Sequence, residues 1–126
     1  MDKAKHLQID LDSPNVWIMS AVKDAHQDIC VGIPNKQFTC FSFGPKSLMV
    51  FGEIAEKTTF EPLDSSRVVI SNAMPISNPS HISHVEGLIR KIGKQYNGER
   101  FSLSNQNCRT FAQTSFQVSR SYLGLF

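Results

Sequence analysis

Two runs of alternating residues joined by a tight turn constrain this chain more than any other feature. In one, Ile29, Val31 and Ile33 alternate with Asp28, Cys30 and Gly32; in the other, Phe38, Cys40 and Ser42 alternate with Thr39, Phe41 and Phe43. A period of two puts each set on one face of an extended strand. Pro34-Asn35-Lys36 between the runs is a turn signal, so the segment reads as an antiparallel hairpin that Gly44-Pro45 ends.

Upstream, Val16 to Val22 is a continuous apolar run of strand length. Downstream, Ser47 to Phe51 and Lys57 to Phe60 are weaker strand candidates, and Arg67 to Ser71 is a stronger one. The Asn, Ser and Pro content of Asn72 to Ser80 marks a loop between the strands and a helical remainder. Ile82, Val85, Leu88, Ile89, Ile92 and Tyr96 then recur at helical spacing, with Ser80 or Ser83 as N-cap, Glu86 completing a capping box and Gly98 as the stop. A second helix is expected from about Cys108 to Tyr122. Its stripe holds Phe111, Ala112, Ser115, Phe116, Ser119 and Tyr122, with Asn105 or Asn107 as N-cap and Gly124 beyond its end. Strands first and helices last indicate an α+β class, and without repeats or low-complexity tracts the chain reads as a single domain over 1–126.

At 126 residues the chain can bury a core without staples, and 40% hydrophobic with 19% charged residues excludes the disordered and fibrous classes. A formal charge of +2 gives no argument for nucleic acid or an anionic membrane as partner. No apolar run approaches the roughly 18 residues of a spanning helix, and MDKAKHLQIDLD lacks the apolar segment of a signal peptide. A cytoplasmic protein without stable membrane insertion is therefore expected. The cysteines are Cys30, Cys40 and Cys108, an odd number without a signal peptide, which fits reduced thiols better than a disulfide framework. A Cys30 to Cys40 bridge between neighbouring strands is the alternative.

Asn107-Cys108 places a thiol at the expected first turn of a helix. Free backbone N–H groups and the positive end of the helix dipole stabilise a thiolate there, and the same N–H groups can hold the oxyanion of a tetrahedral intermediate formed at the sulfur. Position alone leaves two readings open, a nucleophile and a small buried hydrophobe. His26, at the head of the first hairpin run, is the candidate base, since an imidazole can take the thiol proton and later protonate the leaving group.

His26-x-x-Ile29 on a strand, a following strand ending in Phe43-Gly44, and then Asn107-Cys108-x-x-Phe111-Ala112 resemble the circularly permuted branch of the NlpC/P60 papain-like superfamily. That branch includes the lecithin retinol acyltransferase-like proteins, the PPPDE-type isopeptidases and the terminal toxin domains of bacterial polymorphic proteins. Its histidine strand precedes its cysteine helix, and the order here is the same. FSLSNQNC also resembles the lead-in Y-x-L-x-x-N-N-C, with Phe101 in place of the tyrosine and Gln106 in place of the first asparagine. The resemblance covers roughly His26 to Phe116. It implies a papain-like antiparallel sheet packed against the cysteine helix, with Cys108 as nucleophile and His26 as base. It also implies a third polar group on the next strand, for which Gln37, Thr39 and Ser42 are the candidates. Gln37 is preferred, because its carbonyl oxygen can accept the imidazole N–H and fix the tautomer.

The implied chemistry is thiol-dependent acyl transfer or hydrolysis of an amide, isopeptide or ester bond, on a peptide, protein or lipid acyl substrate and without a cofactor. A bacterial effector or toxin is a setting the resemblance admits, and a non-catalytic binding module on the same fold is the rival function. Other clusters read more simply. His81 and His84 have metal-compatible spacing but no companion ligands, so no metal site is assigned. Arg90, Lys91 and Lys94 read as a solvated helix face. Phe38, Phe41, Phe43, Phe51 and Phe60 read as core.

Overall fold

The computed structural model describes residues 9–22, 26–45, 52–98 and 107–124. These residues form five strands, β1 (Asn15–Ala21), β2 (Asp28–Ile33), β3 (Gln37–Pro45), β4 (Gly52–Thr59) and β5 (Val68–Pro75), then two helices, α1 (His81–Tyr96) and α2 (Asn107–Tyr122). The sheet order is β4-β3-β2-β1-β5, and every neighbouring pair is antiparallel. The α+β class therefore holds.

The hairpin forms as its alternation requires. Ile29 pairs with Phe41, Cys30 with Cys40, Val31 with Thr39 and Gly32 with Phe38. Gly32 has φ +140°, and a Cβ there would lie 2.5 Å from the Gln37 carbonyl oxygen, so the close of the hairpin requires glycine. Ile29, Val31, Phe41 and Phe43 point to one face, where with Val16 and Ile18 they form a core under the helices. Both helices lay apolar stripes on this face. Val85, Ile89 and Gly93 are the buried positions of α1, and Phe111, Ala112 and Phe116 bring α2 into the same core.

The other face carries a smaller cluster of Trp17, Cys30, Phe38 and Ile70, partly covered by Ile9, Leu11 and Leu63. Trp17 meets Phe38 edge to face at 5.3 Å between ring centroids. Here the expectation of reduced thiols is corrected, because Cys30 and Cys40 form a disulfide. Register is the physical reason: directly opposed residues of an antiparallel pair, with Cα atoms 4.1 Å apart, bring their sulfurs together.

Two boundaries and one helix cap differ from the expectation. The loop expected from Asn72 begins later, because Asn72 to Pro75 continue β5 by pairing with Asn15 to Ile18 of β1. The strand expected from Lys57 starts at Gly52, where β3 supplies partners back to Pro45. The capping box is absent. Ser80 makes no side-chain cap, and Asn78 Oδ1 instead accepts from the Ser80 backbone N–H at 3.1 Å and its hydroxyl at 2.9 Å. The candidate strand Ser47 to Phe51 lies outside the described residues, as does the lead-in from Phe101 to Gln106. Gly98, at φ +85°, stops α1 as expected, and Gly124, at φ +75°, follows α2.

Arg90 of α1 ties the helix layer to the outer strand. Its Nε and Nη2 donate to the two carboxylate oxygens of Glu56, each at 3.0 Å, and its guanidinium lies 5.6 Å from the centre of the Phe41 ring. The hydrogen bonds from Arg90 hold the Glu56 carboxyl below its ordinary value of 4.5. A folded-state value depressed in this way contributes stability above the unfolded value, and that contribution is lost as pH falls through the folded value.

Both side chains are nearly half exposed, so Glu56→Gln is expected to cost at most about 1 kcal/mol at pH 7, with the difference from wild type closing below pH 4.5. Urea unfolding at several pH values measures this. The disulfide closes a separation of 10 residues, for which chain entropy gives about 2–3 kcal/mol. Thiol titration of the unfolded, unreduced chain is expected to find Cys108 alone, and reduction is expected to lower the urea midpoint.

Candidate functional site

Cys108 is the second residue of α2 and is 1% exposed, on the stripe that continues through Phe111, Ala112 and Ser115. Its position in the first turn gives it neighbouring backbone N–H groups with no intrahelical acceptor. A chain of edge-to-face rings fixes where this turn sits. Phe43 of β3 meets Tyr96 of α1 at 5.6 Å, and Tyr96 meets Phe111 of α2 at 5.4 Å. At the other ends of the helices, His84 Nδ1 lies 2.8 Å from the Tyr122 hydroxyl, so α1 and α2 run antiparallel.

The same register locates His26. Continuing the Ile29–Phe41 pairing by one step of two residues sets Phe43 level with Gln27. The first turn of α2 and His26, which precedes β2 in an irregular segment, therefore stand at one end of the sheet. They approach it from opposite sides. His26 Nε2 lies 3.1 Å from Asp28 Oδ1, and Asp28 lines a hollow with Met19 and Cys40 on the face away from the helices. Cys108 belongs to the helix-covered side.

The contact between His26 and Asp28 lacks hydrogen-bond alignment, since Asp28 Oδ1 is shielded from solvent with no hydrogen-bond partner among the described residues. Two other shielded polar atoms lie nearby in sequence. Gln27 Oε1, beside His26, and Ser115 Oγ, two turns beyond Cys108, have no hydrogen-bond partner among the described residues.

Gln37 does not share this end. It pairs with Ile33 at the turn of the hairpin, and at 3.3 Å per residue it stands about 20 Å along β3 from Phe43. With Thr39, Ile82 and Glu86 it lines a separate cavity of about 230 Å³. Its expected contact with the His26 ring does not fit the register. Of the two alternatives, Thr39 bonds to the Thr58 hydroxyl at 2.9 Å, and Ser42 lies on the open face near Asp28. Asp28 is a polar group that does approach the imidazole. Its signal in the sequence was the His-x-Asp spacing, since residues two apart on an extended chain share a face.

Among the remaining candidates, His81 and His84 stack at 6.1 Å and both rings meet Tyr122, which makes them part of the seam between helices. Arg90 is engaged with Glu56. Among the described residues no three His, Cys, Asp or Glu side chains are grouped to hold a metal ion. No family model, curated protein or solved structure matches this chain. Among the described residues no helix is long and apolar enough to cross a membrane.

The His26–Asp28 pair is 26% and 32% exposed, a setting in which ion pairs contribute about 0–1 kcal/mol. Asp28→Asn is accordingly expected to shift unfolding free energy by less than about 1 kcal/mol, as read by urea titration at pH 6. A loss of several kcal/mol is the result that contradicts this account of the pair.

Proposed function

We propose that this domain is a cysteine-dependent acyl hydrolase or acyltransferase of papain-like design, acting on an amide, isopeptide or ester bond. The observation that carries the reading is the delivery of the Cys108 helix start to the end of the sheet where His26 stands. In the proposed reaction the Cys108 thiolate attacks the carbonyl carbon and a C–S bond forms. The N–H groups of the first turn of α2 hold the resulting oxyanion. The C–N or C–O bond then breaks, the leaving group takes its proton from the His26 imidazolium, and a thioester remains. Water, or an alternative acceptor, attacks that thioester and restores the thiol. The scheme requires the imidazole to turn from Asp28 toward the helix-covered side, and Gln37, at the far end of the strand, has no part in orienting it. The proposed substrate is a peptide, protein or lipid acyl group, and delivery into another cell as an effector is compatible with it.

A second reading is favoured by a different observation. Cys108 is 1% exposed, and His26 leans toward Asp28 on the other side of the sheet. A non-catalytic binding module with an inert core thiol accounts for both facts. The two readings separate with an activated acyl donor. Incubation with p-nitrophenyl acetate, followed by intact-mass and peptide mapping, is expected to place an acyl group on Cys108 faster than on free cysteine. Cys108→Ser abolishes that adduct, and His26→Ala slows its formation by about 10²- to 10⁴-fold. Acylation no faster than that of free cysteine and indifferent to His26 is the outcome that removes the enzyme reading in favour of the binding module.

A further inference from the structure

The face of the sheet away from the helices holds a hollow of about 440 Å³, within the range of small-ligand pockets. Its shape follows from the sequence through the register. Cys40 pairs with Lys57, Ser42 with Ala55 and Phe38 with Thr59, all across β3 and β4. Cys40 is drawn toward Cys30 by the disulfide, and Ser42 and Ala55 are small, so the middle of this patch is low. Phe38 and Met19 are larger and stand at its border.

One end of the hollow is acidic in an unusual way. Asp28 lines it, and Asp28 Oδ1 is shielded from water with no aligned donor among the described residues; His26 Nε2, 3.1 Å away, lies off the hydrogen-bonding direction. With its side chain 32% exposed, Asp28 presents its charge to the hollow through its open atoms rather than through Oδ1. The carboxylate of Glu56 is committed to Arg90. Lys57 borders the hollow on β4, two strands away from Asp28 and so about 10 Å across the sheet. The field therefore favours a positive group at the Asp28 end and opposes one at the Lys57 end.

We propose that this hollow is a binding site for a small organic ammonium ion, its N–H groups directed at Asp28 and its apolar body lying over Cys40 and Ala55 against Phe38. The ammonium meets the part of the Asp28 side chain that is open to the hollow, and Ser42 and Thr59 add polar groups along the path. An anionic ligand meets the Asp28 carboxylate at close range and is disfavoured. A metal ion lacks ligands, since among the described residues Asp28 has no two further Cys, His or carboxylate groups beside it in metal-binding array. The site does not depend on Cys108, which lies on the helix-covered side.

The experiment is a titration of the whole chain at pH 8, where an ordinary imidazole is neutral and does not compete for the carboxylate, read by two-dimensional amide NMR. The probes are 2-phenylethylamine, 2-phenylethanol and 3-phenylpropionate. The amine is expected to bind saturably with a dissociation constant of about a millimolar, the level usual for so small a ligand, and to shift the amides of Phe38, Ser42 and Ala55. Asp28→Asn is expected to weaken it about tenfold. Ala55→Leu, at an exposed position where folding is not at risk, fills the hollow and is expected to remove the shifts. Equal binding of the alcohol or the carboxylate, undiminished binding to either variant, or no saturable shift for the amine overturns the proposal.

Discussion

The three-ring contact of Phe43, Tyr96 and Phe111 is the interaction on which the arrangement of the candidate site depends. It joins β3, α1 and α2 at one end of the sheet, and each ring comes from a different element. Edge-to-face geometry adds about 0.5–1.5 kcal/mol per pair beyond the area buried, and it also restricts how the helices can slide. Asn97 reinforces the same corner, since its Oδ1 accepts from the Ile54 N–H at 2.8 Å while Gly98 N–H donates to the Gly52 carbonyl at 3.1 Å. With α1 stitched to β4 in this way, the contact of Tyr96 with Phe111 sets the first turns of α2 at the same corner. Cys108 arrives there as a consequence of ring packing.

The sheet has two sides with different work. The helix-covered side is a largely apolar core, and its buried polar residues include Thr39 of β3 and Ser115 and Ser119 of α2. Ser119 resolves its burial by donating to the Ser115 carbonyl at 2.8 Å. The open side mixes a disulfide, aromatic rings and charged residues, and it is only partly roofed by Leu11 and Leu63. Asp28 and His26 meet on this second side. The proposed acyl chemistry and the proposed ammonium site therefore meet the sheet from opposite directions, with His26 at the end they share.

Much of this was legible in the sequence where a local pattern and a tertiary contact agree. The β2–β3 hairpin formed as its period of two required, and both helices formed on their apolar stripes with glycines beyond their ends. Legibility failed where a distant partner decided the outcome. Asn72 to Pro75 has the composition of a loop but extends β5 because β1 offers hydrogen bonds, and Cys30 meets Cys40 because register opposes them, whatever the cysteine count suggested. Gln37 fails as a partner for His26 for a different reason: it follows the Pro34-Asn35-Lys36 turn directly, so the hairpin itself sets it at the end of the strand away from His26.

The sequence by itself determined the class of the fold, the alternation of the strands and the presence of a thiol in the first turn of the last helix, because these follow from local stereochemistry and periodicity. Only the tertiary structure decided which residues share an end and a side of the sheet. Pairing register and helix packing are long-range choices, made by the core as a whole. They buried Cys108 and shaped the open-face hollow, neither of which any short stretch of the chain encodes.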